Sequence, residues 1–509
     1  MEIFPQTSGA GRRLTFACAL GLSLSCLVPI ESSAETAGRA FQQMLQLNLQ
    51  ALQKATPFQN NSGQMPPPSQ YAGPFFQLNH AWPTSPPSKM TNAPWQVAIG
   101  NKPITVANAA TYTAALKKAV TENGRSLIMN YDQWDAAKAG WYNEPWLGSL
   151  REPIHGAYTA GQFGPGIFPN TGLDATFRTT VVTYYDERAA YSLNKVWGKT
   201  AMTPTISTDA FQFDEGSIIV KAAIFYSTDP KKETNWWTAM QGAQPWRLFT
   251  PVAQQQDNPQ PSPQLWTGYV AQFDIIVKDS QSAPQTGWVF TTLVYDSSAP
   301  GDVWDKMVPL GAQWGNDPQA GGNPALMTEN WINPQAPTYS TQTLGWGGRL
   351  SGPNDGATNP IAVNGKTFDN APNSSCMSCH STSQWDPKQN KMVTFLLPSY
   401  PPQPGERAPF EECGNDGKPA PGGNYICSPA PGSAEWMKWF QNRLGTVPMD
   451  AGSIATDFDE VFSFKSLPLW YAATATNQQN APVMLMRPSM ATPFNQYTGA
   501  PLPKPDVSK

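Results

Sequence analysis

Histidine is almost missing from this chain: His80, His155 and His380 are the three in 509 residues. Chemistry that needs several imidazoles, such as the H-E-x-x-H zinc helix, is excluded, and there is no Ser-His-Asp signature or phosphate-binding glycine loop. Charge is also scarce. Asp, Glu, Lys and Arg make up 14% of residues, with 37 acidic against 33 basic and a net charge of -4. Without a basic run, nothing points to nucleic acid or an anionic membrane surface as partner. Beyond Leu14 to Ile30 there is no stretch of about 20 apolar residues, so no transmembrane span is expected in the mature chain. No repeat of fixed period is visible. What abounds is proline (51), glycine (40) and tryptophan (19), which favours turns, long loops and aromatic packing over a helical bundle.

The first 34 residues have the order of a secretory signal: the basic pair Arg12-Arg13, the apolar run Leu14 to Ile30, then Ser32-Ser33-Ala34. Export is expected, and Cys18 and Cys26 leave with the signal. Cys26 follows Ser23-Leu24-Ser25, a poor match to a lipoprotein cleavage site, so no lipid anchor is expected.

The most informative stretch is Cys376-Met377-Ser378-Cys379-His380, which reads as a c-type haem attachment site. Each thiol adds to one vinyl group of the porphyrin, and the short bridge lets both reach neighbouring vinyls. The adjacent imidazole then serves as proximal iron ligand. One covalent haem c is the expected cofactor, and the bacterial periplasm the implied compartment. Cys413 and Cys427 are left to pair across a Gly/Pro/Asn-rich loop. Closing about 15 residues in this way contributes about 3 kcal/mol in the chain-entropy picture. A four-cysteine zinc site is the competing reading. It is disfavoured because structural zinc ligands come as two close pairs, and here 13 residues separate the second pair.

Residues 35–95 are read as a helix followed by a Pro-rich linker. Phe41, Leu45, Leu49 and Leu52 share one helical face within 37–55, and Pro66-Pro67-Pro68, Pro83 and Pro86-Pro87 follow. A second helix is expected from Ala109 to Val120. Residues 96–345 form a β-rich domain, with strands at Arg178 to Tyr185, Ser217 to Tyr226, Leu265 to Lys278 and Gly287 to Tyr295. Strands without helices between them favour an antiparallel β-sandwich or jelly-roll-like body. Residues 346–509 form a loop-rich, partly helical haem region. In it Asn373, Ser374 and Ser375 are N-cap candidates, and Ser433 to Leu444 has a helical pattern ending at Gly445. The overall class is mixed and β-rich.

The pentapeptide Cys376 to His380 resembles the attachment motif of the c-type cytochromes, and the resemblance covers little else. It implies His380 as proximal ligand and a downstream methionine, often beside a proline, on the other iron face. Pro448-Met449 looks like that element, so Met449 is the first distal candidate. His155, in Arg151-Glu152-Pro153-Ile154-His155-Gly156, is the second, as ligand or proton-transfer group, against a structural histidine in a loop. His80, Met392, Met437, Met484, Met486 and Met490 rank lower.

Other motifs read as structural. Asp214-Glu215 points to opposite faces of an extended chain, Trp236-Trp237 suits a core, and Trp314 to Pro318 suits a tight turn. The functional expectation is a monohaem carrier of single electrons to or from a redox partner protein. The alternative is a peroxidase-like haem oxidoreductase, with a substrate pocket in the β-rich domain and His155 and Arg151 as distal groups.

Overall fold

The computed structural model describes residues 58–474, apart from 164, 228, 230, 232–235, 252–261, 357–360, 364–365, 369–373, 389–410, 413–426 and 429–430. The expected signal 1–34 and the helix at 37–55 lie outside the described residues.

The body is one open antiparallel sheet of eight strands: β1 (Tyr158–Phe163), β2 (Phe177–Tyr185), β3 (Ile218–Ser227), β4 (Pro245–Pro251), β5 (Pro263–Lys278), β6 (Trp288–Tyr295), β7 (Met307–Gln313) and β8 (Asn330–Ile332). The order is β1-β2-β3-β5-β6-β7-β8, and β4 pairs with the N-terminal half of β5. β2, β3, β5 and β6 fall within two residues of the sequence expectation, because runs of Val, Ile, Thr and aromatics suit a covered pleated surface. β6 is buried at every position, so both faces of the sheet are covered there.

Helix α1 (Ala109–Met129) covers one face. Tyr112, Leu116, Val120 and Leu127 are buried at helical spacing. Gly124 lets the helix approach Trp304, whose ring would lie 2.5 Å from any Cβ there. The helix runs nine residues past its expected end at Val120. Helix α2 (Glu187–Trp197) leaves β2 through the Asp186 cap, whose side chain accepts from Ala189 N. It was not expected from the sequence.

Alternation along β5 sends Phe273 towards Trp304 and α1, and sends Gln272 and Asp274 to the other face. That second face carries helix α3 (Cys376–His380), whose His380 ring meets Phe290 of β6; helix α4 (Leu467–Thr474) follows further along the chain. Met377, Trp385, Phe458, Phe462, Leu467 and Leu469 belong to the same apolar core as the sheet. The described C-terminal segments thus share one core with the β-rich body. The expected helix at Ser433 to Leu444 is instead a 3-10 turn, Trp436–Lys438, flanked by turns. Lys438, Trp439 and Phe440 donate three residues back, and Asn442 is held by Asn316 and Glu329, which diverts the chain before a helical register can extend. No helix among the described residues is long and apolar enough to cross a membrane.

Candidate cofactor site

The motif Cys376–His380 forms α3 because Ser375 closes a reciprocal cap. Ser375 Oγ accepts from Ser378 N (3.1 Å), and Ser378 Oγ accepts from Ser375 N (2.8 Å). Strand β7 fixes the helix to the sheet through buried Gln313. Its Oε1 accepts from Met377 N (3.0 Å), and its Nε2 donates to Ser375 Oγ (3.3 Å). Cys376 N donates to Leu350 O at 3.0 Å. Cys376 and Cys379 are unpaired thiols, one helical turn apart.

His380 sits at the end of this turn with its ring 4.6 Å from Phe290 of β6. Its Nδ1 lies 2.8 Å from the carbonyl oxygen of Phe458. A carbonyl only accepts, so Nδ1–H donates to it. Nε2 faces Glu460, whose Oε2 is 3.8 Å away and whose Oε1 is buried without a partner among the described residues.

A hydroxyl hub holds the 454–463 segment against α3. Ser383 Oγ contacts Thr456 Oγ1 (2.7 Å) and Ser463 Oγ (2.8 Å) and donates to Asp459 O (2.7 Å). The two-residue strands Gln384–Trp385 and Ile454–Ala455 pair beside it.

Beneath Cys376 lies a group of buried charges. Lys221 of β3 reaches Asp355 (2.8 Å) and Asp274 of β5 (3.2 Å), while Gln272 donates to both carboxylates. Burial opposes the Lys221 charge, but Asp355 and Asp274 more than restore it and hold its pKa up. Burial pushes Asp274 up despite Lys221; Asp355 is also penalised by burial, yet the lysine holds it below its ordinary value. Withdrawal from water, then Asp274 and Asp355, raises the Cys376 thiol; withdrawal from water, then Glu460, raises Cys379. Both therefore stand as neutral thiols.

These residues fit a porphyrin attached through two thioethers. The two thiols are free, and the one imidazole of the motif has its outer nitrogen committed to a carbonyl, leaving Nε2 as donor. Seating an iron on Nε2 requires the Glu460 carboxylate, at 3.8 Å, to swing aside.

The other sequence candidates lie as follows. Met449 is half-buried in a loop whose next residue, Asp450, accepts from Gln384 Nε2 (2.8 Å) and donates through its N to Gln384 Oε1 (2.9 Å). That loop is thus tied four residues beyond His380. His155 is buried on the α1 side of the sheet. It stacks on Trp246 at 4.1 Å, and Trp246 Nε1 donates to Ile128 O of α1. Burial lowers the His155 pKa to about 3, so it is neutral. The structure does not bring it beside His380. Arg151 is buried and donates to Glu144 O (2.7 Å). His80 packs between Phe58 and Trp82. Trp236 and Trp237 are buried in an aromatic stack with Phe177 and Phe168. Met437 packs on Trp436 and Phe440, and Met392, Met484, Met486 and Met490 lie outside the described residues. The Cys413–Cys427 pair also lies outside them: Cys413 is not described, and of Cys427 only the backbone is. The backbone of Glu411–Glu412 does run beside Cys427–Ser428, in parallel.

Sequence reasoning missed Lys221, Asp274, Asp355, Asp457, Phe458 and Glu460. A signal existed for two of them, since Lys221 and Asp274 carry charge inside mainly apolar stretches of β3 and β5. Comparison of the chain with protein-family models, curated proteins and solved structures gives no match.

Proposed function

We propose that the chain is an exported monohaem c-type cytochrome of the periplasm that passes single electrons to or from a redox partner protein. Cys376 and Cys379 would hold the haem covalently, and His380 would be its proximal ligand. The observation that carries this reading is the Nδ1 contact of His380 with the Phe458 carbonyl, which leaves Nε2 as a donor directly after two unpaired thiols. A haem bound there would supply a one-electron iron couple.

The chain's own residues serve that role in definable ways. Ser375 and Gln313 fix the attachment turn on the sheet. Phe290, Phe458 and Trp288 form an aromatic wall beside the half-buried His380, and the apolar character of a haem's surroundings is one of the levers on its potential. Met449 remains the proposed distal ligand, on a loop tethered by Gln384. The Cys413–Cys427 disulfide is proposed as a staple for the intervening loop.

The oxidoreductase alternative draws less support. It needs polar groups over an open iron face, and its two candidates, His155 and Arg151, are enclosed elsewhere, the first against Trp246 and the second at Glu144. Absorption spectra of both redox states with added carbon monoxide test the choice. A reduced form that ignores carbon monoxide and cycles reversibly supports the carrier; rapid carbon monoxide binding supports the alternative.

A further inference from the structure

The carbonyl that accepts from His380 belongs to a strained piece of backbone. Asp457 and Phe458 both have left-handed dihedrals, φ 46° and 68°. For a bulky aromatic residue this is a rare conformation, and each such residue costs about 1–3 kcal/mol unless its surroundings enforce it. Here they do. The Asp457 side chain is fully buried, and its hydrogen-bond donors among the described residues come from the sheet body or its margins. Lys278 Nζ, at the end of β5, lies 2.7 and 2.9 Å from the two carboxylate oxygens. Trp288 Nε1, at the start of β6, donates to Oδ1 at 2.8 Å, and Phe213 N donates to Oδ2 at 2.8 Å. Gly445 closes the remaining side: a Cβ there would lie 1.6 Å from Asp457 Oδ1.

A solvated surface turn has no need of a buried ion pair, an indole donor and an amide donor converging on one carboxylate. Replacing both charges by apolar groups would cost a stable core little. What the arrangement does fix is the direction of the next peptide group. Once Asp457 is pinned at both oxygens, the Phe458 carbonyl points at His380 Nδ1, 2.8 Å away. The contact in turn sets the tautomer and tilt of the imidazole.

We propose that Lys278 and Asp457 are positioning residues for His380: the buried pair locks the left-handed Asp457-Phe458 turn so that the Phe458 carbonyl holds the proton on Nδ1 and frees Nε2. This rests on the haem reading above for its consequence, but not for its geometry.

The test uses Lys278→Met, Asp457→Asn and Gly445→Ala in the full exported chain, each approaching the clamp from a different element. In the haem-free chain, 15N NMR of His380 is expected to show almost only the Nδ1–H tautomer in the wild type. In each variant a large share should move to Nε2–H. In the haem-loaded chain the same variants should raise the reduction potential, because a weaker Nδ1–H···O bond makes the imidazole a poorer donor to ferric iron. If Asp457→Asn unfolds the chain, Gly445→Ala and the double variant Lys278→Met/Asp457→Asn carry the test. Lowered melting temperatures with an unchanged tautomer and unchanged potential would overturn the clamp. A tautomer shift in a chain that never takes up haem would uphold the clamp and refute the haem reading.

Discussion

Lys221→Met is the most demanding perturbation of the buried charge group. The lysine is the cation facing both Asp355 at 2.8 Å and Asp274 at 3.2 Å, with side-chain exposures of 16%, 32% and 9%. Removing one partner of a buried pair costs about 3–5 kcal/mol, because the remaining charge is left in a poorly solvated place. Asp355 is nearly one-third exposed, so water screens part of that penalty and the lower end, about 3 kcal/mol, is expected at pH 8. The pH dependence has a definite sign. Without Lys221 two carboxylates share the site, and at least one acquires a folded pKa above its unfolded value. Such a group's stability is present in full below the unfolded pKa and disappears as pH rises through the folded one. About 3 kcal/mol corresponds to about two pKa units, so the deficit should shrink towards zero near pH 4. Urea melts followed by tryptophan fluorescence at pH 4, 6 and 8 read this directly. A loss below about 1 kcal/mol at pH 8, or an equal loss at all three values, would refute the reasoning.

Three further outcomes are expected. Ser375→Ala removes the cap of α3 and a partner of Gln313, and should destabilise the chain by about 1–2 kcal/mol, measured by the same melts. His155→Gln should leave the haem spectrum unchanged. It should also remove a stability term that the wild type loses on acidification, since His155, held to about 3 when folded, takes up its proton only on unfolding below the ordinary 6.5. At pH 5 that term amounts to about 2 kcal/mol against the wild type at neutral pH. In the folded haem-free chain, Cys376 and Cys379 should react with a thiol reagent at pH 8 more slowly than in urea, because both thiols are half-buried and their partial withdrawal from water raises them. Equal rates would show that the site is open.

Four strands were legible because Val, Ile, Thr and aromatics cluster in β2, β3, β5 and β6, where pleated packing selects them. β4 and β7 were not, since Pro245, Pro251 and Pro309 read as breakers, although prolines are tolerated at strand ends and bulges. β1 was hidden by Gly161 and Gln162. The haem motif could be read from local spacing alone, since five consecutive residues carry it. Its supporting shell could not. Asp457 and Phe458 follow His380 by more than 70 residues, and Lys278 precedes it by about a hundred. Only the folded sheet brings these segments together. The Ser433 to Leu444 pattern misled because Trp436 and Phe440 do face one way, but onto Trp346 and Arg349 from a 3-10 turn.

The central claim is a covalent link between the chain and an iron porphyrin at Cys376 and Cys379. Protein exported from cells competent in haem c attachment, denatured and run on a gel, tests it most directly with a peroxidase stain and an alkaline pyridine spectrum. One haem per chain that survives denaturation, and is lost in Cys376→Ala/Cys379→Ala, is the expected result. A colourless, unstained band from the same export route would contradict it.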